Sequence, residues 1–354
     1  MSIEHRTERL RSMMKAYEGP RHTVVAASLR HGKPRFVNSG AEITEASPED
    51  LIFEIGSITK VFTAILLCLL VEEGKVDPRA PLRHMSGDLA GVPDWITPER
   101  LISHTSGLPN FHMPIWKALM RPWPDGPYVG FSRSDLLKWI HSWRGRASEP
   151  GPRHAYSNLG VGLLGEAMAM QAGKPFVNLL AEKVVAPLGL KDTTHCLGDD
   201  RRGRLAHPRY PSGKPVSPWR FEALAAAGCL RSSAHDLARF AIRVMEALNT
   251  PETSMDRAIC RSAIPVFGLG RRGRMDPAAQ CSGWLSMAPA KAGPRFLYHN
   301  GGTAGSTCAL YICPEKAEAC AVLSNNGIAG NLWGSIKLDW SNQIRQAHEY
   351  FAAI

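Results

Sequence analysis

Residues 51–74 read Leu-Ile-Phe-Glu-Ile-Gly-Ser-Ile-Thr-Lys-Val-Phe-Thr-Ala-Ile-Leu-Leu-Cys-Leu-Leu-Val-Glu-Glu-Gly. The first five residues make a short apolar approach to Gly56. From Ser57 to Glu73 the pattern is helical and apolar nearly all round, through Val61, Phe62, Ile65, Leu66, Leu69 and Leu70. A helix of that kind is buried on every side, and Gly74 supplies a stop signal. Ser57 and Lys60 stand three apart at its start, so they share one face with Cβ atoms about 5–6 Å apart. Taken alone, such a pair also reads as a capping serine beside a lysine that reaches water. Among apolar neighbours, however, a lysine needs a partner or a task. Desolvation lowers its pKa and lets it accept a proton. A helix start also presents backbone N–H groups and the positive dipole end to a developing oxyanion.

Upstream, Leu10, Met13, Met14 and Tyr17 recur at helical spacing. Residues 23–29 and 35–37 read as strands around the turn His31-Gly32-Lys33-Pro34. Downstream, helical patches at 98–105, 133–143, 158–172 and 176–185 alternate with loops rich in Pro and Gly. Two loops are long, 108–130 and 199–220, and carry Trp116, Trp123, Tyr128, Tyr210 and Trp219. Loops of this length in an enzyme usually form rims or lids, although any single aromatic there serves equally as an anchor. After Ala227 strand signals return at 295–299, 307–312 and 319–324. A last helical face follows, with Trp333, Ile336, Trp340, Ile344, Ala347 and Phe351. The expected class is α/β in the α+β sense: an antiparallel sheet from both termini, flanked by helices, with an inserted, mainly helical domain. The expected division is 1–75 with 225–354 for the sheet domain and 76–224 for the helical one.

With 354 residues, the chain has material for two packed units. Its 42 Lys and Arg outnumber 32 Asp and Glu, giving a formal net charge of +10. The arginines cluster at Arg201, Arg202 and Arg204, and at Arg271, Arg272 and Arg274, each time beside glycine, as in solvated loops. No nucleic-acid motif accompanies them, so nucleic acid is not expected as a partner. The eight cysteines form no C-x-x-C pair, and several sit in apolar runs as buried thiols do. Charges interrupt the first twenty residues where an export signal needs an apolar stretch. The longest apolar run, 61–71, contains Thr63 and is too short for a bilayer. These features lead to the expectation of a cytoplasmic protein without a membrane partner.

Serine hydrolases of the G-x-S-x-G type are excluded, because no serine here has glycine two places later. Two further motifs join Ser57-Ile58-Thr59-Lys60. Tyr156-Ser157-Asn158 offers a phenol able to shuttle a proton and an amide able to orient a substrate or Lys60. His299-Asn300-Gly301-Gly302 closes a predicted strand, where glycines admit a substrate backbone and the Gly302 N–H complements that of Ser57. Singly, each reads equally well as a turn.

In this order, S-x-x-K, Y-x-N and H-x-G together resemble the serine β-lactamase and penicillin-binding protein superfamily. The variant is similar to the branch of class C β-lactamases, D-alanyl-D-alanine carboxypeptidases and β-lactamase-like esterases. The phrases Ser103-His104-Thr105-Ser106-Gly107-Leu108-Pro109, Ala226-Ala227-Gly228-Cys229-Leu230 and Ser233-Ala234-His235-Asp236-Leu237-Ala238 add to the likeness. The resemblance implies that Ser57 forms an acyl-enzyme and that Lys60 and Tyr156 exchange protons with it. It implies that Asn158 orients substrate or Lys60, and that Ser57 and Gly302 form the oxyanion hole. No metal or organic cofactor is implied. The implied substrate is a small ester, amide or thioester, with water or a small alcohol or amine as acyl acceptor. Esterase or amidase leads. A transacylase of secondary metabolism, a D-amino-acid peptidase or carboxypeptidase, a β-lactamase and an acylated sensor domain stand beside it. His299 and Asn300 replace a lysine and a threonine, which implies a weaker, pH-dependent anion site. His104 is read as a structural hydrogen-bonding residue and His154 as a possible cleft residue.

Overall fold

The structure, a computed structural model, describes residues 3–40, 46–113, 125–143, 149, 151, 153–270, 278–287, 294–328, 347, 350 and 351. Trp116, Trp123, Arg271, Arg272, Arg274, Trp333, Ile336, Trp340 and Ile344 lie outside them. The described residues hold ten strands: β1 Thr23–Arg30, β2 Lys33–Gly40, β3 Ile52–Glu54, β4 Arg231–Ser233, β5 Pro265–Gly270, β6 Ala278–Cys281, β7 Leu285–Met287, β8 Phe296–Gly302, β9 Thr307–Cys313 and β10 Glu318–Ser324. Eight of them form one antiparallel sheet in the order β2-β1-β10-β9-β8-β7-β6-β5. The N-terminal hairpin thus pairs with the last strand, as the expectation of a sheet built from both termini requires. The turn between β1 and β2 is tighter than expected. Only His31 and Gly32 separate the strands, and Pro34 sits within β2, an edge strand that tolerates a missing donor.

Strands β9 and β10 are buried at every position, because helices cover both faces of the sheet. On one face Val24, Ala26, Tyr298, Tyr311 and Val322 pack against Leu10, Met13, Met14 and Tyr17 of the Ile3–Met14 helix and its 3₁₀ continuation. Ala347, Tyr350 and Phe351 join that layer. The other face packs Val25, Ala27, Leu310, Ala321 and Leu323 into a core shared with the Thr59–Glu72 helix, the Ala234–Asn249 helix and the Asn158–Ala172 helix. The expected helical patches correspond to Pro98–Ile102, Arg133–Ser142, Asn158–Ala172 and Phe176–Leu180, the last followed by a π turn over Ala181–Val185. Among the described residues no helix is long and apolar enough to cross a membrane.

The central helix departs from expectation at its start. Gly56–Ile58 forms a 3₁₀ turn, and the α-helix begins at Thr59. Nor is the helix purely apolar in its contacts. Thr59 Oγ1 accepts from Leu230 N–H at 3.1 Å, and Thr63 Oγ1 donates to Ala226 C=O at 2.8 Å. Thr59, Lys60 and Thr63 thus share one stripe turned toward residues 226–230. Strands β3 and β4 pair beside it, and Ile55 N–H donates to Leu230 C=O at 3.0 Å. Two carbonyls of an otherwise apolar core are thereby held over the first turns of the helix.

Candidate active site

Lys60 is fully buried, and its amine has three oxygen neighbours. Nζ lies 2.7 Å from Asn158 Oδ1, 2.7 Å from Ala227 O and 3.0 Å from Ser57 Oγ. Two of these can only accept; the hydroxyl can accept or donate. Burial holds the Lys60 pKa well below the ordinary lysine value. With no carboxylate among its partners, the environment favours the neutral amine. Two N–H groups then satisfy Asn158 and Ala227, and the lone pair is left facing Ser57.

Ser57 Oγ also lies 2.7 Å from the Tyr156 hydroxyl. Tyr156 is 39% exposed at the cleft. Withdrawal of its hydroxyl from water raises its pKa, against a lowering hydrogen bond with Ser57, so it is a protonated phenol. Its neighbours hang from the segment after the Pro98–Ile102 helix. Ser157 Oγ donates to Pro109 C=O at 2.7 Å and caps the next helix by accepting from Gly160 N–H at 2.8 Å. Asn158 N–H donates to Asn110 Oδ1 at 3.0 Å, and Asn158 Nδ2 donates to Tyr128 Oη at 2.9 Å. The Asn158 amide is therefore oriented from both sides, with Oδ1 toward Lys60.

The opposite wall is the end of β8. A Cβ on Gly301 would collide with Ile55 O and lie 2.8 Å from Cys308 Sγ; one on Gly56 would lie 2.8 Å from Gly302 N. Gly56 also has φ +46°, a left-handed conformation open to glycine. These two backbones meet because neither carries a side chain at the contact. Thr303 N–H donates to Ser306 C=O at 2.9 Å in the β8–β9 hairpin. Alternation along an antiparallel pair then turns the Asn300 and Gly302 amides away from β9. On that side β7 pairs with Phe296, Leu297 and Tyr298, and among the described residues no strand pairs with β8 beyond Tyr298 on the cleft side. Glu54 braces the arrangement, accepting from Trp219 N–H at 2.6 Å and Thr303 Oγ1 at 2.8 Å. Burial raises its pKa, partly offset by Arg231 and these donors.

All eight expected residues gather here: Ser57, Lys60, Tyr156, Asn158, His299, Asn300, Gly301 and Gly302. Except for Lys60, which forms the floor, they line one cavity of about 510 Å³. His299 corrects the expectation of a pH-dependent anion site. It is 6% exposed, and burial, the largest cause, lowers its pKa to about 3. Near neutrality it carries no charge. Its Nδ1 hydrogen bonds with Asn300 C=O at 2.6 Å, which assigns the ring proton to Nδ1. His154 does line the cavity and pairs through Nε2 with Gln280 Oε1 at 3.1 Å. Asn110, Phe111, Phe221 and Gln280 also line it and were not expected. Asn110 directly follows the Ser103–Pro109 phrase, which was the available signal.

The Beta-lactamase family model matches residues 7–329. D-alanyl-D-alanine-carboxypeptidase/endopeptidase AmpH of Escherichia coli K12 is 30% identical over 285 residues, covering 75% of this chain and 69% of that protein. A β-lactamase of Pseudomonas fluorescens is 28% identical over 194 residues, spanning 54% of this chain and half of the relative. A class C β-lactamase from Rhodobacter sphaeroides superposes with a TM-score of 0.77 over 98% of both chains at 21% identity. A β-lactamase/D-alanine carboxypeptidase from Pseudomonas syringae gives 0.76 over 97% of this chain and 98% of that one, also at 21% identity. With the family model spanning nearly all of its length and the fold shared end to end, this chain belongs to the β-lactamase family of serine hydrolases.

Proposed function

We propose that this protein hydrolyses small esters or amides through an acyl-enzyme on Ser57. The observation that carries the reading is the fully buried Lys60 amine 3.0 Å from Ser57 Oγ, its pKa drawn well below the ordinary lysine value by burial. Lys60 takes the hydroxyl proton as Oγ attacks the carbonyl carbon. The N–H groups of Ser57 and Gly302 face the oxyanion, a form of stabilisation that is often the largest single contribution. Collapse of the tetrahedral adduct breaks the bond to the leaving alcohol or amine, which receives the proton from Tyr156. The proton that Lys60 took from Ser57 then restores the Tyr156 phenol, whose ring centroid lies 4.9 Å from Nζ. Water then attacks the acyl-enzyme, and the proton returns to Ser57 Oγ. No metal or organic cofactor takes part.

Phe111, Tyr128, Trp219 and Phe221 line the cavity beside Ser57 and supply an apolar wall for the acyl group. With His299 uncharged, a substrate carboxylate gains no cationic partner from that side chain. Free thiols at all eight cysteines support a reducing compartment, consistent with a cytoplasmic enzyme. A D-amino-acid carboxypeptidase is the second reading, favoured by the named activity of the AmpH relative. Both use the same acyl-enzyme and differ in the leaving group.

Intact-mass spectrometry after exposure to esters, thioesters, D-Ala-D-Ala peptides and β-lactams tests the proposal. Wild type should gain the acyl mass of at least one ester or amide and lose it with turnover, and Ser57→Ala should gain none. An adduct on Ser57→Ala would overturn the nucleophile, and an adduct that never leaves wild type would make the protein an acylated sensor. Faster turnover of D-Ala-D-Ala peptides than of any ester would promote the second reading.

A further inference from the structure

The Pro98–Ile102 helix ends in a turn whose hydrogen bonds run from Thr105 N–H to Arg100 C=O at 2.9 Å and from His104 N–H to Leu101 C=O at 3.4 Å. This is a Schellman turn, whose left-handed position usually falls to glycine. The Thr59–Glu72 helix closes in the same way, with Gly74 at φ +68° and bonds of 2.9 Å from Lys75 to Leu70 and from Gly74 to Val71. At the equivalent position of the shorter helix stands His104, with φ +59°. A residue with a Cβ held there is disfavoured, and such strain marks places where the side chain has a task.

The contacts of His104 identify that task. Its carbonyl accepts from Ala155 N–H at 2.8 Å, and its imidazole Nδ1 accepts from Ser157 N–H at 3.2 Å. The N–H groups of Ala155 and Ser157, the residues flanking Tyr156, are thus bound to one residue. The imidazole also lies against the phenol ring, with centroids 4.4 Å apart and planes tilted by 41°. Tyr156 is 39% exposed while His104 is 2% exposed, so the phenol is aimed largely by its backbone. Accepting at Nδ1 requires a neutral ring with its proton on Nε2. Burial, the largest cause, lowers its pKa well below the ordinary histidine value and keeps the ring neutral.

We propose that His104 is a positioning residue for proton transfer: by clamping the N–H groups of Ala155 and Ser157, which flank Tyr156, and one face of the phenol ring, it holds the hydroxyl 2.7 Å from Ser57 Oγ. The inference rests on the role of Tyr156 in the proposed function. A clamp of this kind matters most when the leaving group needs a proton, because small misplacements of a reacting group are costly.

The experiment measures kcat/KM, which reports acylation, over esters that share one acyl group and run from p-nitrophenyl to alkyl leaving groups. The variants are His104→Asn, His104→Gln and His104→Gly, with Tyr156→Phe alongside. Asn tolerates a left-handed backbone and places an acceptor near the position of Nδ1, whereas Gln carries its acceptor one bond further out. Gln and Gly should lose about 10–100-fold on alkyl esters and less than about threefold on p-nitrophenyl esters. The competitive inhibition constant of the product acid should stay within about threefold, since binding is left intact. Asn should stay within about fivefold across the series. Equal losses on every ester, a loss carried by product-acid binding, or Asn as damaging as Gln would overturn the inference. If the Gly variant does not fold, the Asn–Gln contrast decides alone. Unimpaired turnover by Tyr156→Phe would sink the underlying function, whereas a leaving-group-dependent loss in Tyr156→Phe that His104→Gln lacks would sink only the clamp.

Discussion

On one side of the cleft, the end of β8 lies so close to Ile55–Ser57 that the contact has no room for a Cβ on Gly301. On the other side, Ala155, Ser157 and Asn158, around Tyr156, hang from His104, Pro109 and Asn110 by hydrogen bonds of 2.7 to 3.2 Å. Steric exclusion holds the first wall and directional bonding the second. The first tolerates no added atom. The second degrades step by step as donors lose their partners. Lys60 is where the walls meet, bonded at once to Asn158 of one and to Ser57 of the other.

Removing that junction should have the largest effect. Lys60→Ala deletes the proton acceptor and frees both Asn158 Oδ1 and Ala227 C=O, so kcat should fall about 10²–10⁴-fold, the range for general acid–base catalysis. Because the amine works uncharged, the wild-type rate should also decline as pH falls through its lowered pKa. Steady-state rates from pH 5 to 10 check both points. A near-normal Lys60→Ala rate would remove the lysine from the chemistry.

The contrast between the walls is sharpened by one substitution in each. Gly301→Ala must push β8 away from Ile55, an overpacking that costs about 1–3 kcal/mol or more. The displaced Gly302 amide should lower kcat by about 10². Asn110→Ala leaves the Asn158 N–H without its acceptor, and a lost bond of about 1 kcal/mol corresponds to a decrease of about five- to tenfold. If thermal melting and kcat ranked these two variants in the opposite order, the distinction between the walls would fail.

Legibility in the sequence follows the same division. Ser57 and Lys60 were readable because a three-residue spacing and an apolar run are local signals, and β1, β9 and β10 because their apolar runs are continuous. Strands β5, β6 and β7 carry no such signal. β5 carries Pro265, Gly268 and Gly270 with two shifts of register, and β6 and β7 have four and three residues; ladder pairing makes them strands. Asn110, Tyr128 and Glu54 act through bonds to Asn158 and Trp219 that span 30 to 165 positions. Single-sequence periodicity carries no information about such bonds. The charge state of His299 is not legible for a related reason, since its burial is supplied by the fold and not by its neighbours in sequence.

That charge state leads to the smallest effect. The folded His299 has a pKa of about 3 against an ordinary 6.5, so between those values the unfolded chain binds a proton that the folded one does not. Stability therefore rises with pH across this window and is lost as pH falls from about 6.5 toward 3. His104, lowered for the same reason of burial, adds to the slope, so His299→Asn should flatten it only in part. Urea midpoints measured at pH 7 and pH 5 should lie closer together in the variant than in wild type. In the same preparation, His299→Asn should affect carboxylate-bearing and neutral esters alike at pH 7, because the wild-type imidazole has no charge to lose. A selective loss on the carboxylates would mean that substrate binding recharges the ring, and the sheet wall would then hold an ion as well as a shape.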